Sequence, residues 1–280
     1  MIAEKKIDCL GININYIDEG KGDILLFIHN GGGFWQIWIR QIDYFSKTHR
    51  VIALDLPGFG KSSESNSPYS LEFNFQILTA FLNKLQITEA SFIGNCIGAS
   101  LAIKFKNENP DKVKKLILLN ICPGERLIRL GIFRTLLFKI KSKGFQSVFK
   151  SILTFMVTKT PLKNKFPTIL FGKNPDKKSP LFLKYKEKMQ EAKQSRSRLN
   201  LLFASNTYTL KHFLSKNSKI QDTLLLWGEF NKVAAVKREG YYHQNLGGIE
   251  KINIINGSGH LLMYESPKET NRLIENYLRI

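Results

Sequence analysis

A cysteine sits between two glycines at Gly94-Asn95-Cys96-Ile97-Gly98, after the apolar run Ala90-Ser-Phe-Ile-Gly94 and before a helix-compatible stretch, Ile97–Asn107. A small-x-nucleophile-x-Gly turn between strand and helix forces its central residue onto a tight, strained corner. Side chains at the flanking positions would collide with the neighbouring strand and helix. The helix opening at Ile97 aims its positive dipole end at the Cys96 sulfur, which favours the nucleophilic thiolate. Taken alone, Gly-x-Cys-x-Gly also describes a buried structural cysteine. Two other segments join a histidine to glycine-rich backbone: His29-Asn30-Gly31-Gly32-Gly33 and Gly257-Ser258-Gly259-His260. A third, Gly58-Phe59-Gly60-Lys61-Ser62, looks like the tail of a phosphate-binding loop. The position five before Gly60 is Asp55 rather than glycine, so the nucleotide reading fails. Cys122, just past a strand end, has no motif around it and reads as a small buried residue.

The elements that must position these residues alternate regularly. Short strands are expected at Lys5–Leu10 and Ile12–Ile17 around Gly11, then apolar strands at Ile24–Ile28, Val51–Leu54, Ala90–Gly94 and Lys115–Leu119. After a long interval come Thr223–Trp227 and Lys251–Ile255. Helices are expected at Leu71–Leu85, Ile97–Asn107 and Val236–Asn245, with a last one opened by Ser266-Pro267. Apolar strands alternating with helices imply a mostly parallel sheet covered on both faces. There is no internal repeat.

These motifs, in this order and spacing, resemble the α/β-hydrolase family over nearly the whole chain outside the interval. His29–Gly33 sits where that family has its His-Gly oxyanion loop, with Trp38 at the expected distance beyond. Asp55-x-x-Gly58-x-Gly60-x-Ser62 matches the turn after the next strand. Trp227-Gly228-Glu229-Phe230-Asn231 matches the acid loop, and Gly257–His260 the catalytic-histidine loop. The resemblance implies an eight-stranded, mostly parallel α/β sheet with helices on both faces and an inserted helical lid. Residues 1–122 and 221–280 would form the core and 123–220 the lid. It also implies Cys96 as nucleophile, His260 as general base, and an oxyanion hole made by the backbone N–H groups of Ile97 and Gly31. His29, Gly32, Gly94 and Gly98 would support the elbow and the loop.

The departures from the family are Cys96, where a Ser is usual, and Asn231, where an Asp is usual. In a Ser–His–Asp site the carboxylate stabilises the imidazolium formed at the transition state, so its loss should be severe. A thiol can already pass its proton to histidine at rest, and a neutral amide then suffices to orient the ring, as in Cys–His–Asn sites. The two departures are therefore chemically consistent. Glu229, Asn120 and Glu125 are other candidates for the third role, the latter two because they follow the strand ending at Leu119.

Epoxide opening and dehalogenation normally require a carboxylate at the elbow, so Cys96 argues against both. The leading expectation is acyl transfer or thioester cleavage through an acyl-Cys96 intermediate. A hydrolase of esters, lactones or carbon–carbon bonds using the same residues is the second class, and an inactive binding protein the third. No cofactor or metal is called for.

Charge is concentrated in the expected lid. Residues 124–219 hold 22 Lys/Arg against four Asp/Glu, a net +18, out of +19 for all 280 residues. Phe133, Phe138, Phe145, Phe149 and Phe155 interleave with those basic residues, as helices covering an apolar acyl pocket would. A solvated basic face is the plainer reading. The functional ones are an acidic acyl-carrier protein, a coenzyme A thioester or an anionic membrane surface, and without a nucleic-acid motif that partner ranks low. The N-terminal residues lack an apolar signal core, and three cysteines do not make a disulfide framework, so a cytoplasmic location is expected.

Overall fold

The computed structural model describes residues 2–122, 167–188, 191–208, 220, 222–241, 244–245 and 248–279. Eight strands form one sheet: β1 (Lys5–Cys9), β2 (Ile12–Glu19), β3 (Ile24–Ile28), β4 (Arg50–Leu54), β5 (Ala90–Asn95), β6 (Val113–Leu119), β7 (Thr223–Gly228) and β8 (Ile252–Ile255). Their spatial order is β1-β2-β4-β3-β5-β6-β7-β8. The β1–β2 and β2–β4 pairings are antiparallel and all others parallel. The opening hairpin turns at Leu10 and Gly11, both at positive φ, the two-residue turn whose twist matches its strands. Leu10 thus belongs to the turn, one residue short of the expected strand.

Alternation within the central strands sorts side chains onto two faces. Leu26, Ile28, Ile52, Leu54, Phe92 and Leu118 join one apolar cluster, and Leu25, Phe27, Val51, Ala53, Ile93 and Ile117 the other. Helices α2 (Leu71–Lys84) and α3 (Ile97–Glu108) cover the first face with residues such as Phe81, Leu101 and Phe105. Helix α1 (Ile39–Phe45) and the C-terminal helix cover the second through Ile42, Phe45 and Ile274. Each of these side chains, fully buried, favours the fold by about 1.5–3 kcal/mol. This double covering holds the strand ends, and hence the loops that follow them, in fixed positions.

Between β6 and β7 lie α4 (Pro180–Lys188) and α5 (Ala192–Phe203). The α4 face that turns inward carries Leu181, Phe182 and Tyr185. The other expected lid residues, 123–166, 189–190 and 209–219, with Glu125, Phe133, Phe138, Phe145, Phe149 and Phe155, lie outside the described residues. The helix expected over Val236–Asn245 is described as a short π-helical turn, Val236–Gly240. Beyond β8 follow α6 (Leu262–Glu265) and α7 (Pro267–Leu278). Pro267 occupies the first turn of α7 as expected, but the Ser266 hydroxyl pairs with the Ser258 hydroxyl at 2.7 Å instead of capping the helix.

Candidate active site

Cys96 stands between β5 and α3 with φ 57° and ψ −111°, a left-handed backbone conformation that costs a non-glycine residue on the order of 1–3 kcal/mol. The elbow is strapped down on all sides. Its N–H donates to the Leu119 carbonyl at 2.9 Å, and its own carbonyl accepts from Ala99, Ser100 and Cys122. A Cβ on Gly94 would lie 2.3 Å from the Gly98 carbonyl oxygen, and one on Gly98 2.3 Å from that of Ile28. Both glycines are therefore required by close backbone approach, as the pattern predicts. The Cys96 thiol is held well below the ordinary thiol value. The largest cause is a hydrogen bond from Cys122, opposed by burial and assisted by a hydrogen bond and charge interaction with His260 and by the Ile97 N–H.

His260 follows β8 and is buried, with Nδ1 3.2 Å from Asn231 Oδ1. Asn231 Oδ1 also accepts from the Val233 and Ala234 N–H groups at 3.0 Å each, so that atom is the amide oxygen. It can only accept, and Nδ1 of His260 must therefore carry the proton, which leaves Nε2 for the Cys96 sulfur. The network continues through two more buried asparagines. Asn231 Nδ2 donates to Asn120 Oδ1 at 2.9 Å, which also accepts from the Gly228 N–H. Asn120 Nδ2 donates to Asn95 Oδ1 and to the His260 carbonyl, and Asn95 Nδ2 donates to that same carbonyl. Every amide orientation is fixed by a backbone group. Among the described residues no carboxylate is hydrogen-bonded to His260.

Nearby, the glycine loop is built around His29. Its Nε2 accepts from the Leu56 N–H at 2.9 Å, so Nδ1 carries the proton and donates to the Asn30 carbonyl at 2.7 Å. Burial pushes His29 down to about 4, and it stays neutral. It ties the loop after β3 to the turn after β4 and is placed to support rather than to move protons. Gly32 has φ +79°, and a Cβ on Gly31 would meet Leu201 of α5 at 2.6 Å and approach Ile97 at 3.9 Å. The two residues expected to form the oxyanion hole are thus neighbours beneath α5. Tyr185 of α4 donates to Asn30 Oδ1 at 3.2 Å, bringing that helix onto the same loop.

The remaining candidates fall elsewhere. Glu229 accepts from the Gly257 N–H at 2.9 Å and latches the histidine loop without touching the ring. Asn120 sits one shell behind Asn231. Asp55 accepts from the Trp35 and Lys61 N–H groups and from Asn15, so the turn that resembles a phosphate loop is wrapped around a carboxylate. Three residues that the sequence did not flag take part. Asn95, the variable position of the elbow itself, holds the His260 carbonyl. Glu265 accepts from the Gly259 N–H at 2.9 Å and from the Gly172 N–H at 2.7 Å, bracing the histidine loop against residues 167–172. Cys122, read as an inert buried residue, hydrogen-bonds the Cys96 sulfur. Its position directly after the β6 end was the available signal. Among the described residues no group of three or more His, Cys, Asp or Glu could hold a metal ion.

Comparison with known proteins agrees with this architecture. The chain is 26% identical to epoxide hydrolase 3 of Xenopus tropicalis, over 96% of this chain and 75% of that protein. It is 25% identical to the 2-hydroxy-6-oxononadienedioate/2-hydroxy-6-oxononatrienedioate hydrolase of Escherichia coli, over 95% of this chain and 91% of that one. The structure of the Cif epoxide hydrolase from Acinetobacter nosocomialis superposes with a TM-score of 0.80 at 19% identity, covering 99% of this chain and 89% of the other. The family model described as alpha/beta hydrolase fold matches residues 23–267, and the chain belongs to that family.

Proposed function

We propose that the protein cleaves a bond at an acyl carbon through a covalent acyl-Cys96 intermediate, with water as the final acceptor. The observation that carries this reading is the relay itself: a buried thiol with a lowered pKa, hydrogen-bonded to a histidine whose far nitrogen is held by Asn231. In the first step the Cys96 thiolate attacks the carbonyl carbon of an ester, lactone, thioester or activated carbon–carbon bond. The Ile97 and Gly31 N–H groups would receive the negative charge that develops on oxygen. His260 then passes a proton to the leaving group, and in the second step it takes one from the attacking water. Asn231 keeps the ring in the required tautomer without adding charge.

Hydrolysis is supported by the relatives, which are named as hydrolases. The epoxide chemistry in some of those names does not suit this elbow. Attack by a carboxylate on an epoxide yields an ester that water can cleave, whereas attack by Cys96 would yield a thioether with no carbonyl to attack, a dead end. Transfer to an amine, alcohol or thiol is the second reading, favoured by sulfur at the elbow, because a thioester reacts with those acceptors faster than with water.

Incubation with an acyl-thioester donor, followed by intact mass, tests the proposal. An adduct on Cys96 that water discharges supports hydrolysis, and one that an amine or alcohol discharges faster supports transfer. Absence of an adduct from ester, lactone and thioester donors alike would refute both and leave a binding protein that keeps the site.

A further inference from the structure

Beyond its hydrogen bond to Cys96, the second sulfur at the site forms no bond and moves no proton in the steps above. Cys122 lies three residues past the end of β6, and its N–H donates to the Cys96 carbonyl at 3.3 Å. Its thiol is hydrogen-bonded to the Cys96 sulfur. Both residues are reduced, buried and part of one apolar cluster. Hydrogen bonding alone does not call for sulfur at position 122, because a serine hydroxyl is a better donor to a thiolate than a thiol is. What sulfur adds is the capacity to bond covalently to the sulfur it touches.

We propose that Cys96 and Cys122 are a paired oxidation site that closes into a reversible disulfide on meeting a small hydroperoxide. The Cys96 thiolate attacks one peroxide oxygen, so that an S–O bond forms as the O–O bond breaks. The departing hydroxide takes up a proton and leaves as water. Cys122 then gives up its proton and attacks the Cys96 sulfur; the S–S bond forms, the S–O bond breaks and a second water leaves. Two thiols lose two electrons in all, and one peroxide becomes two waters. A disulfide needs Cα atoms about 4.4–6.8 Å apart and side chains directed at each other. The Cys122 N–H donates to the Cys96 carbonyl at 3.3 Å, which brings the two backbones within that reach, and the two thiols are hydrogen-bonding partners. The closure outpaces further oxidation of Cys96 to the irreversible sulfinic acid, because the resolving thiol is already in contact. Hydrogen peroxide is scarcely larger than water, so burial does not exclude it. Cys9 supplies an internal control: burial pushes its thiol up to about 11, and it stays unreactive.

The inference needs a reactive Cys96 but no catalytic turnover, so it stands or falls separately from the acyl-transfer mechanism. The test treats the whole folded protein with hydrogen peroxide, blocks remaining thiols by alkylation after unfolding, and combines intact mass with a non-reducing peptide map. The expected product is lighter by two hydrogens and has one alkylatable thiol, Cys9, instead of three. Its Cys96 and Cys122 peptides are linked, and dithiothreitol restores all three thiols. In Cys122→Ser the same treatment should leave Cys96 carrying oxygen, trapped by dimedone at the sulfenic stage. If that variant does not fold, Cys9→Ser must show the same link, with its thiols falling from two to none. An oxygenated Cys96 beside an alkylatable Cys122 in the unaltered chain would overturn the proposal. So would a link through Cys9, or three intact thiols after peroxide.

Discussion

Replacing Asn231 by aspartate restores the residue usual in the family, yet the network predicts that it weakens this protein. Oδ1 of the new side chain keeps its three contacts, with His260 Nδ1 and the Val233 and Ala234 N–H groups. The second carboxylate oxygen, however, replaces an amide that donated to Asn120 Oδ1 at 2.9 Å, and now two acceptors face each other. Asn120 cannot relieve this by turning over. Its oxygen accepts from the Gly228 N–H and its nitrogen donates to Asn95 and to the His260 carbonyl. One buried hydrogen bond is lost and an acceptor is left unpaired, which costs about 1–3 kcal/mol. Urea unfolding should therefore show Asn231→Asp with a lower midpoint at unchanged slope, while His260 keeps its tautomer and the protein keeps activity. Because the penalty arises between two particular side chains, Asn120→Ala should relieve part of it. The double variant should then be more stable than the sum of the single losses by about 1 kcal/mol or more. An Asp variant as stable as the parent, or strictly additive losses, would refute the neutral-network argument.

Four other expectations can be checked. Iodoacetamide should label Cys96 rapidly at neutral pH and Cys9 slowly; labelling of Cys96 should decline only well below the ordinary thiol value, because its lowered pKa preserves thiolate as pH falls. Cys96→Ala should abolish turnover without changing the unfolding midpoint by more than a core cysteine's packing, and full activity in that variant would remove Cys96 from the mechanism. Glu265→Gln can offer only one oxygen to the Gly172 and Gly259 N–H groups, so one of them is left facing an amide nitrogen; a loss of about 1–3 kcal/mol in urea and a lower kcat are expected, and unchanged kcat would mean the histidine loop is positioned without it. If the basic segment steers an acidic acyl carrier, carrier-bound donors should exceed short pantetheine donors in kcat/KM at low salt, and Lys184, Lys186 and Lys188 changed together to glutamate should erase the difference. The structure narrows that last test, since Lys188 is already paired with Glu191, so Lys184 and Lys186 should account for most of the change. Equal rates for both donors at low salt would refute the carrier, and sedimentation with anionic vesicles would then separate a membrane surface from a merely solvated face.

Features governed by local rules could be read directly from the residues. Unbroken apolar runs marked the central strands, because a parallel strand buried on both faces has to be apolar along its length, and the turn at Gly11 marked the antiparallel pair β1 and β2. Gly94 and Gly98 marked the elbow, because the backbone contacts that exclude a Cβ there arise wherever a strand turns so sharply into a helix. The order of Cys96, Asn231 and His260 along the chain was likewise legible, and each does lie at a strand end. How those ends meet is set by long-range packing. Asn95 reaches the His260 carbonyl across 165 positions of chain, and Asn120 reaches Asn231 across 111. Such contacts depend on the register of β5, β6 and β7 and on which amide edge faces which backbone group, and no local pattern encodes either. The same holds for Cys122: its residue type says only that it is small and apolar. Its contact with the Cys96 sulfur comes from the pairing of β6 beside β5, which sets the two strand ends side by side.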